Sequence, residues 1–423
     1  MEDGFSFDVA CSPIHDAAAT DSLLAGLAGA LLRAGGRRRT TDEAPLDQPL
    51  FHVVLTGGTE RLVLDRLARR DAATAGEPAI LVSHPGHNSL PAALEILARV
   101  QRDGRGGRIV TLRGDADDTG TAELRRLALL TRVGLGLRAA RIGAVGAPSD
   151  WLVASDHAPG VVRRSWGPEL VPIPFEEMRA RLAVAAPDPA VAGDLARGAA
   201  RPRHAADRDL GRSTALHAAL RALAAAHRLD ALTLRCFDLI GDDGVTGCVA
   251  LSLLADQGLP AGCEGDVPSI VGLLWLRLLT GEAAWMANPA WIDREAGEVL
   301  LAHCTVPRTL VDSYELDTHF ESGTGVALGG RVPEGPVTLV RIGGDRLQEL
   351  FTCEGQLAPT SRASGLCRTQ ARVRVEPAIL DGLLERPLGN HILLSRGHHA
   401  ALLRESHRLL HGAGARFSGA TTR

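Results

Sequence analysis

Four short segments in the second half of the chain carry residues able to bind a cation and move a proton. They are Cys263-Glu264-Gly265-Asp266, Met286-Ala287-Asn288-Pro289, Ala302-His303-Cys304 and Gly389-Asn390-His391. Each sets an oxygen or imidazole donor beside a glycine, a proline or another small residue, where the backbone turns and a side chain can reach a shared point. Oxygen donors with one or two imidazoles suit Mn²⁺ or Mg²⁺ better than a structural zinc site. His303-Cys304 alone would suggest zinc, but no second Cys/His pair at finger spacing supports it.

The same residues have competing structural roles. Glu264 falls at the predicted carboxyl end of a strand, the edge of an open α/β sheet where ligands bind. Asp266 precedes Val267-Pro268 and a predicted helix, so it reads first as an N-cap, with coordination as the alternative. His391 opens a predicted strand; a lone histidine is ordinarily a surface or core residue, and only its companions make it a ligand candidate. His398-His399 reads as a solvated helix start. His319, in Thr318-His319-Phe320-Glu321-Ser322-Gly323, stands in a turn and is placed to line a polar pocket, while Glu321 reads as solvent-facing. Earlier, Thr56-Gly57-Gly58-Thr59-Glu60 joins a strand to a helix, where backbone N–H groups can meet a phosphate or hydroxyl. It is not GxGxxG, which argues against a dinucleotide. His87-Asn88-Ser89 occupies the equivalent turn after the next strand, and its structural reading is a helix cap at Ser89 ahead of Pro91.

Composition narrows the chemistry. All 46 basic residues are arginine. The absence of lysine excludes Schiff-base catalysis, a lysine-held pyridoxal phosphate and a P-loop lysine. A net charge of -4 with 23% charged residues gives no electrostatic case for nucleic acid or an anionic membrane. The seven cysteines are scattered, odd in number and without a CxxC pair, so no disulfide framework or zinc ribbon is indicated. Met1-Glu2-Asp3-Gly4 is acidic and lacks a basic-then-apolar run, so no signal peptide is expected. The apolar run Val267–Thr280 is interrupted by Arg277 and too short to span a bilayer. A cytoplasmic location is expected.

At 423 residues the chain exceeds one hydrophobic core, so two or three domains are expected. Val53–Leu55, Ala79–Val82, Ile109–Leu112 and Arg141–Gly146 alternate with helical patterns, and Glu169–Pro172, Leu232–Phe237 and Ala261–Glu264 continue the alternation. Such order predicts parallel, doubly wound sheets. From about Glu298, short runs punctuated by Gly and Pro predict an antiparallel sheet or barrel, closed by a strand at Ile392–Leu394 and a helix near Leu402–Leu410. The expected fold class is α/β: two doubly wound parallel-sheet domains (1–160 and 161–282), then a β-rich, barrel-like domain with a terminal helix (283–423). The Ala/Arg-rich stretch 185–208 reads as helix plus loop.

These segments resemble those of the L-fucose isomerase / L-arabinose isomerase superfamily, and more closely its fucose isomerase-like branch. Asn88-Ser89-Leu90-Pro91-Ala92, the Arg235-Cys236-Phe237 strand, Cys263-Glu264-Gly265-Asp266, Thr318-His319-Phe320-Glu321 and Leu388-Gly389-Asn390-His391 carry the resemblance, which covers most of the chain. It implies the same order of domains. It also implies Mn²⁺, with Mg²⁺ or another divalent cation as the alternative, held by Glu264, His391 and a second carboxylate in Met286–Pro289. Here that position is Asn288. His303 is the nearest counterpart of a further histidine in the arabinose branch. The resemblance further implies a homo-oligomer, trimer or hexamer, in which Asn88 and its neighbours reach another subunit's metal.

The expected activity is aldose–ketose isomerisation through an enediol, acting on a small-molecule sugar. Such a reaction needs a base to carry a proton between C2 and C1 and a cation across O1 and O2. Asn288 can offer an amide oxygen but cannot accept a proton at neutral pH. Glu264 must then both coordinate and act as base, or Asp266 or His303 takes over. His303, His319, Asn88, Arg235 and Arg368 are the expected substrate-binding residues, the two arginines permitting an anionic sugar such as a sulfonated or acidic hexose. The alternatives are another metal-assisted sugar reaction, sugar binding without isomerisation, and a hinge-type sugar-binding module.

Overall fold

A computed structural model describes residues 4–74, 76–200 and 205–418. The chain divides into two units, residues 1–139 with 404–415, and residues 140–403 with 416–423.

In the first unit, five parallel strands run β1 (Phe5–Ala10), β2 (Gly36–Arg38), β3 (Leu50–Val54), β4 (Ala79–Ser83) and β5 (Gly107–Thr111), ordered β2-β1-β3-β4-β5. β3 and β4 are buried along their whole length, as the central strands of a parallel sheet must be. Ala92, Ala93, Ile96 and Val100 of the helix Ser89–Arg102 pack on this sheet. β1 was not among the expected strands. Phe5-Ser6-Phe7-Asp8-Val9 alternates apolar and polar residues as a strand does, and Asp8 is buried and satisfied by His52 (2.8 Å) and Thr41 (2.6 Å).

The second unit begins with a four-stranded parallel sheet: β6 (Arg141–Val145), β7 (Glu169–Ile173), β8 (Ala231–Leu234) and β9 (Ala261–Cys263), ordered β7-β6-β8-β9. The strands that follow are β10 (Trp285–Asp293), β11 (Glu298–His303), β12 (Ser313–Asp317), β13 (Ala327–Arg331), β14 (Gly335–Gly343), β15 (Glu349–Ala358), β16 (Thr369–Arg374), β17 (Ile392–Arg396) and β18 (Arg416–Ser418). β12 and β13 pair with each other. The order β14-β17-β10-β11-β16-β15, together with the β14–β15 pairing, closes an antiparallel ring, and β18 adds in parallel to β15. Closure removes the sheet edges and buries Val299, Leu301, Val337, Leu339, Phe351, Val373 and Leu394 in one core. The fold is therefore α/β with two parallel sheets and a β-rich, barrel-like part, as the sequence predicts.

β10 is a strand the sequence pattern hides. Pro289 lies inside it, and the register against β11 shifts between Pro289 and Trp291, a bulge that absorbs the missing N–H. Within 185–208, the helix Pro189–Gly198 is capped by Asp188, and residues 201–204 lie outside the described residues. Among the described residues no helix is long and apolar enough to cross a membrane.

Candidate metal centre

β9 ends in a turn of two consecutive left-handed residues, Glu264 (φ 65°) and Gly265 (φ 73°). Glycine adopts this conformation freely; a glutamate there is strained, and such strain persists where surrounding structure enforces it. The enforcement is visible. The Ser149 N–H donates to the Glu264 carbonyl at 2.8 Å, and a Cβ on Gly265 would lie 2.7 Å from Pro148 Cα. The turn throws the Glu264 side chain inward and starts the helix Val267–Thr280, whose N-cap is Asp266 (Oδ1 accepts from Ser269 N–H, 2.7 Å).

Glu264 converges with two histidines from the barrel. Donor atoms of Glu264, His303 and His391 all lie within 4.8 Å of one another, and all three residues are buried. His303 ends β11, and His391 immediately precedes β17. His391 Nδ1 lies 2.8 Å from Asp266 Oδ2, and Arg341 Nη1 approaches the same oxygen at 3.0 Å. Arg341 is itself buried and also donates to Ser269 Oγ (2.6 Å) and Ser155 Oγ (2.7 Å). With its Nδ1 committed to a carboxylate, His391 points Nε2 at Glu264 Oε1, 3.4 Å away. That nitrogen is buried and makes no hydrogen bond among the described residues. A carboxylate-oriented imidazole with a bare, buried second nitrogen facing another carboxylate is the chemistry of a metal ligand. The residues present thus fit a divalent cation.

Electrostatics agree. Burial alone would raise the Glu264 carboxyl, but the His303 and His391 imidazoles outweigh it and hold Glu264 well below the usual carboxylate range. Burial likewise opposes ionisation of Asp266, and the Arg341 guanidinium, then His391, reverse it. Burial pushes His391 down, while Asp266 and then Glu264 raise it to about 9. Without a metal, a proton sits where a cation would.

His303 is set differently. The Thr305 N–H donates to its Nδ1 (3.3 Å), which in a neutral ring leaves the proton on Nε2, 3.8 Å from Glu264 Oε1. Asn288 lies on β10, where the pairing Ala287↔Ile392, carried on by one residue, sets it opposite His391; its Oδ1 accepts from Asn390 Nδ2 at 3.2 Å.

The expected substrate residues fall in several places. His319 is buried, with Nδ1 3.1 Å from Ser322 Oγ and its ring edge-on to Phe237. Arg235 is held by Asp150, Asp238 and the Pro148 carbonyl, and Arg368 by Asp317 and Thr318. Both guanidinium charges are therefore already paired. Asn88 belongs to the first unit, exposed and left-handed (φ 56°) ahead of the helix Ser89–Arg102. The cap expected at Ser89 is absent: Ser89 Oγ accepts from His84 N–H and donates to the Val54 carbonyl, tying the turn to the sheet instead. Sequence reasoning missed Arg341 and Trp151. Arg341 sits in an apolar strand run, where a lone buried arginine signals a buried carboxylate partner. Trp151 lies in a loop without periodicity, and no local pattern marks it.

No protein-family model matches the chain. It is similar over part of its length to proteins named sulfoquinovose isomerase. The one from Priestia aryabhattai is 33% identical over 81 residues, 19% of this chain and 18% of the relative. The one from Alkalicoccus urumqiensis is 25% identical over 131 residues, 29% of each. The matched stretches span less than a third of these relatives' length. Their names support a relation to isomerases without singling out the L-fucose / L-arabinose branch.

Proposed function

We propose that this chain is a metal-dependent aldose–ketose isomerase acting on an anionic open-chain sugar, in the manner of the L-fucose / L-arabinose isomerases. The observation that carries the reading is the convergence of Glu264, His303 and His391, whose Nε2 makes no hydrogen bond among the described residues, in one buried cluster. The partial likeness to sulfoquinovose isomerases supports a sulfonated hexose as the substrate. The same reading takes the chain as a trimer or hexamer with three domains at 1–160, 161–282 and 283–423.

Glu264 and His391 would hold the ion, with the Asn288 amide oxygen as a third donor, while His303 keeps its Nε2 proton beside Glu264. Imidazole donors favour Mn²⁺ over Mg²⁺. When bound, the cation supplies charge to stabilise an enediolate. The chain's own residues must move the proton. Asp266 is committed to Ser269, Arg341 and His391, which removes it as a base. Glu264 takes the proton from C2 and returns it at C1, and His303, carrying a proton on Nε2 toward Glu264, orients that carboxylate.

The test is incubation with Mn²⁺ and sulfoquinovose in D₂O, followed by NMR. Deuterium entering at C1 or C2, and lost with EDTA, supports the reading. Sugar binding without exchange would favour a binding protein, which the absence of a carboxylate at Asn288 also permits. Asn288→Asp adds a negative charge beside His391 and is expected to tighten Mn²⁺ about tenfold, measured by calorimetry; unchanged affinity would place that side chain away from the ion.

A further inference from the structure

Trp151 reaches the metal centre directly, through a bond to Glu264, and nothing in the reaction described so far uses it. Trp166, Trp275 and Trp285 are fully buried, whereas Trp151 is 53% exposed. Its indole N–H nevertheless donates to Glu264 Oε2 at 2.7 Å. Glu264 thus has one oxygen facing the two imidazoles and the other held by the indole. The loop carrying Trp151 is locked to the glutamate's own turn, through Ser149 N–H to the Glu264 carbonyl and through Arg235, which grips the Pro148 carbonyl and Asp150. Trp151 stands edge-on to Phe237 (5.0 Å, 83°), and Phe237 edge-on to His319 (5.5 Å, 82°). These three rings form a wall continuous with the carboxylate.

We infer that Trp151 is a positioning residue with two parts: its N–H fixes which oxygen of Glu264 faces His391 and His303, and its exposed ring face packs against the C–H face of a bound sugar. A carboxylate with four lone-pair directions in a buried pocket can rotate; a charge-assisted bond from a pinned indole fixes it. A flat apolar face beside polar groups is what a carbohydrate requires, since its C–H surface is apolar and its hydroxyls are not. The N–H part needs only the cation. The ring part rests on the isomerase reading.

Two variants separate the parts. Trp151→Phe keeps a ring and loses the donor; Trp151→Ala loses both. In Mn²⁺ titrations by calorimetry, both variants are expected to bind about tenfold more weakly than the native chain. At saturating Mn²⁺ with sulfoquinovose, KM is expected to stay near native in Trp151→Phe and to rise about tenfold in Trp151→Ala. Circular dichroism and thermal midpoints near native would show that the fold is kept. Native Mn²⁺ affinity in Trp151→Phe would overturn the N–H part, and equal KM values in the two variants would overturn the ring part. If the native chain binds Mn²⁺ and turns over no sugar, the isomerase reading fails and the ring part with it, while the calorimetric difference still decides the N–H part.

Discussion

Two strand-to-helix turns in this molecule look alike and differ in what they can do. In the first unit β4 leads through His87 (φ 49°) and Asn88 (φ 56°) into a helix; in the second, β9 leads through Glu264 (φ 65°) and Gly265 (φ 73°). Both follow the carboxyl end of a parallel strand, and both strain a non-glycine residue. In the first, the polar groups are exposed or satisfied locally: His84 Nε2 lies 2.9 Å from the Leu55 carbonyl, and Ser89 bridges to the sheet. In the second, the carboxylate is buried and meets imidazoles supplied by β11 and the start of β17. A strained turn at a sheet edge becomes a reactive site only where a second layer delivers partners that burial prevents from meeting water.

Variants can break or sharpen that contrast. Glu264→Gln removes the carboxylate oxygen that faces both imidazoles, so Mn²⁺ binding and deuterium exchange are expected to vanish, by calorimetry and NMR. Asp266→Asn leaves Arg341 buried without its counter-charge and His391 without its orienting carboxylate. It is expected to lower Mn²⁺ affinity 10–100-fold, on the order seen for outer partners of metal ligands, and to cost on the order of 3 kcal/mol in chemical denaturation.

The third prediction concerns pH. His391 is raised to about 9 from 6.5, so its contribution to the metal-free fold is fully present below about 6.5 and is lost as pH rises through about 9. The same proton competes with the ion. Mn²⁺ affinity is therefore expected to improve about tenfold per unit between roughly pH 6.5 and 8.5, while the metal-free thermal midpoint falls over the same range. Parallel trends would contradict a shared site. The smallest effect is expected at His398, which stands half-exposed beside Glu354: His398→Ala should change Mn²⁺ affinity less than twofold, measured beside the native chain.

Much of this was legible in the sequence. The strand–helix alternation gave both parallel sheets because apolar runs flanked by turns have few other uses, and Glu264 and His391 stood out through their glycine neighbours. What escaped notice had its compensation elsewhere in the chain. Asp8 can lie buried in β1 because His52 and Thr41, which satisfy it, arrive from 44 and 33 residues away. Pro289 broke the pattern of β10, and only the bulge against β11 explains it. Arg341 and Trp151 acquire meaning from Asp266 and Glu264, 75 and 113 residues distant. Arg235 and Arg368 read as free cations in the sequence, and only the fold shows the carboxylates beside them, Asp150 and Asp238 for one and Asp317 for the other.

The central claim is that one divalent ion is held by Glu264 and His391 with His303 at hand. Anomalous diffraction from crystals soaked in Mn²⁺ tests it most directly. The account predicts a single peak per chain at about 2.0–2.3 Å from Glu264 Oε1 and His391 Nε2, typical of oxygen and imidazole ligands. A soaked crystal with no peak in that pocket, or with its manganese elsewhere in the chain, would contradict it.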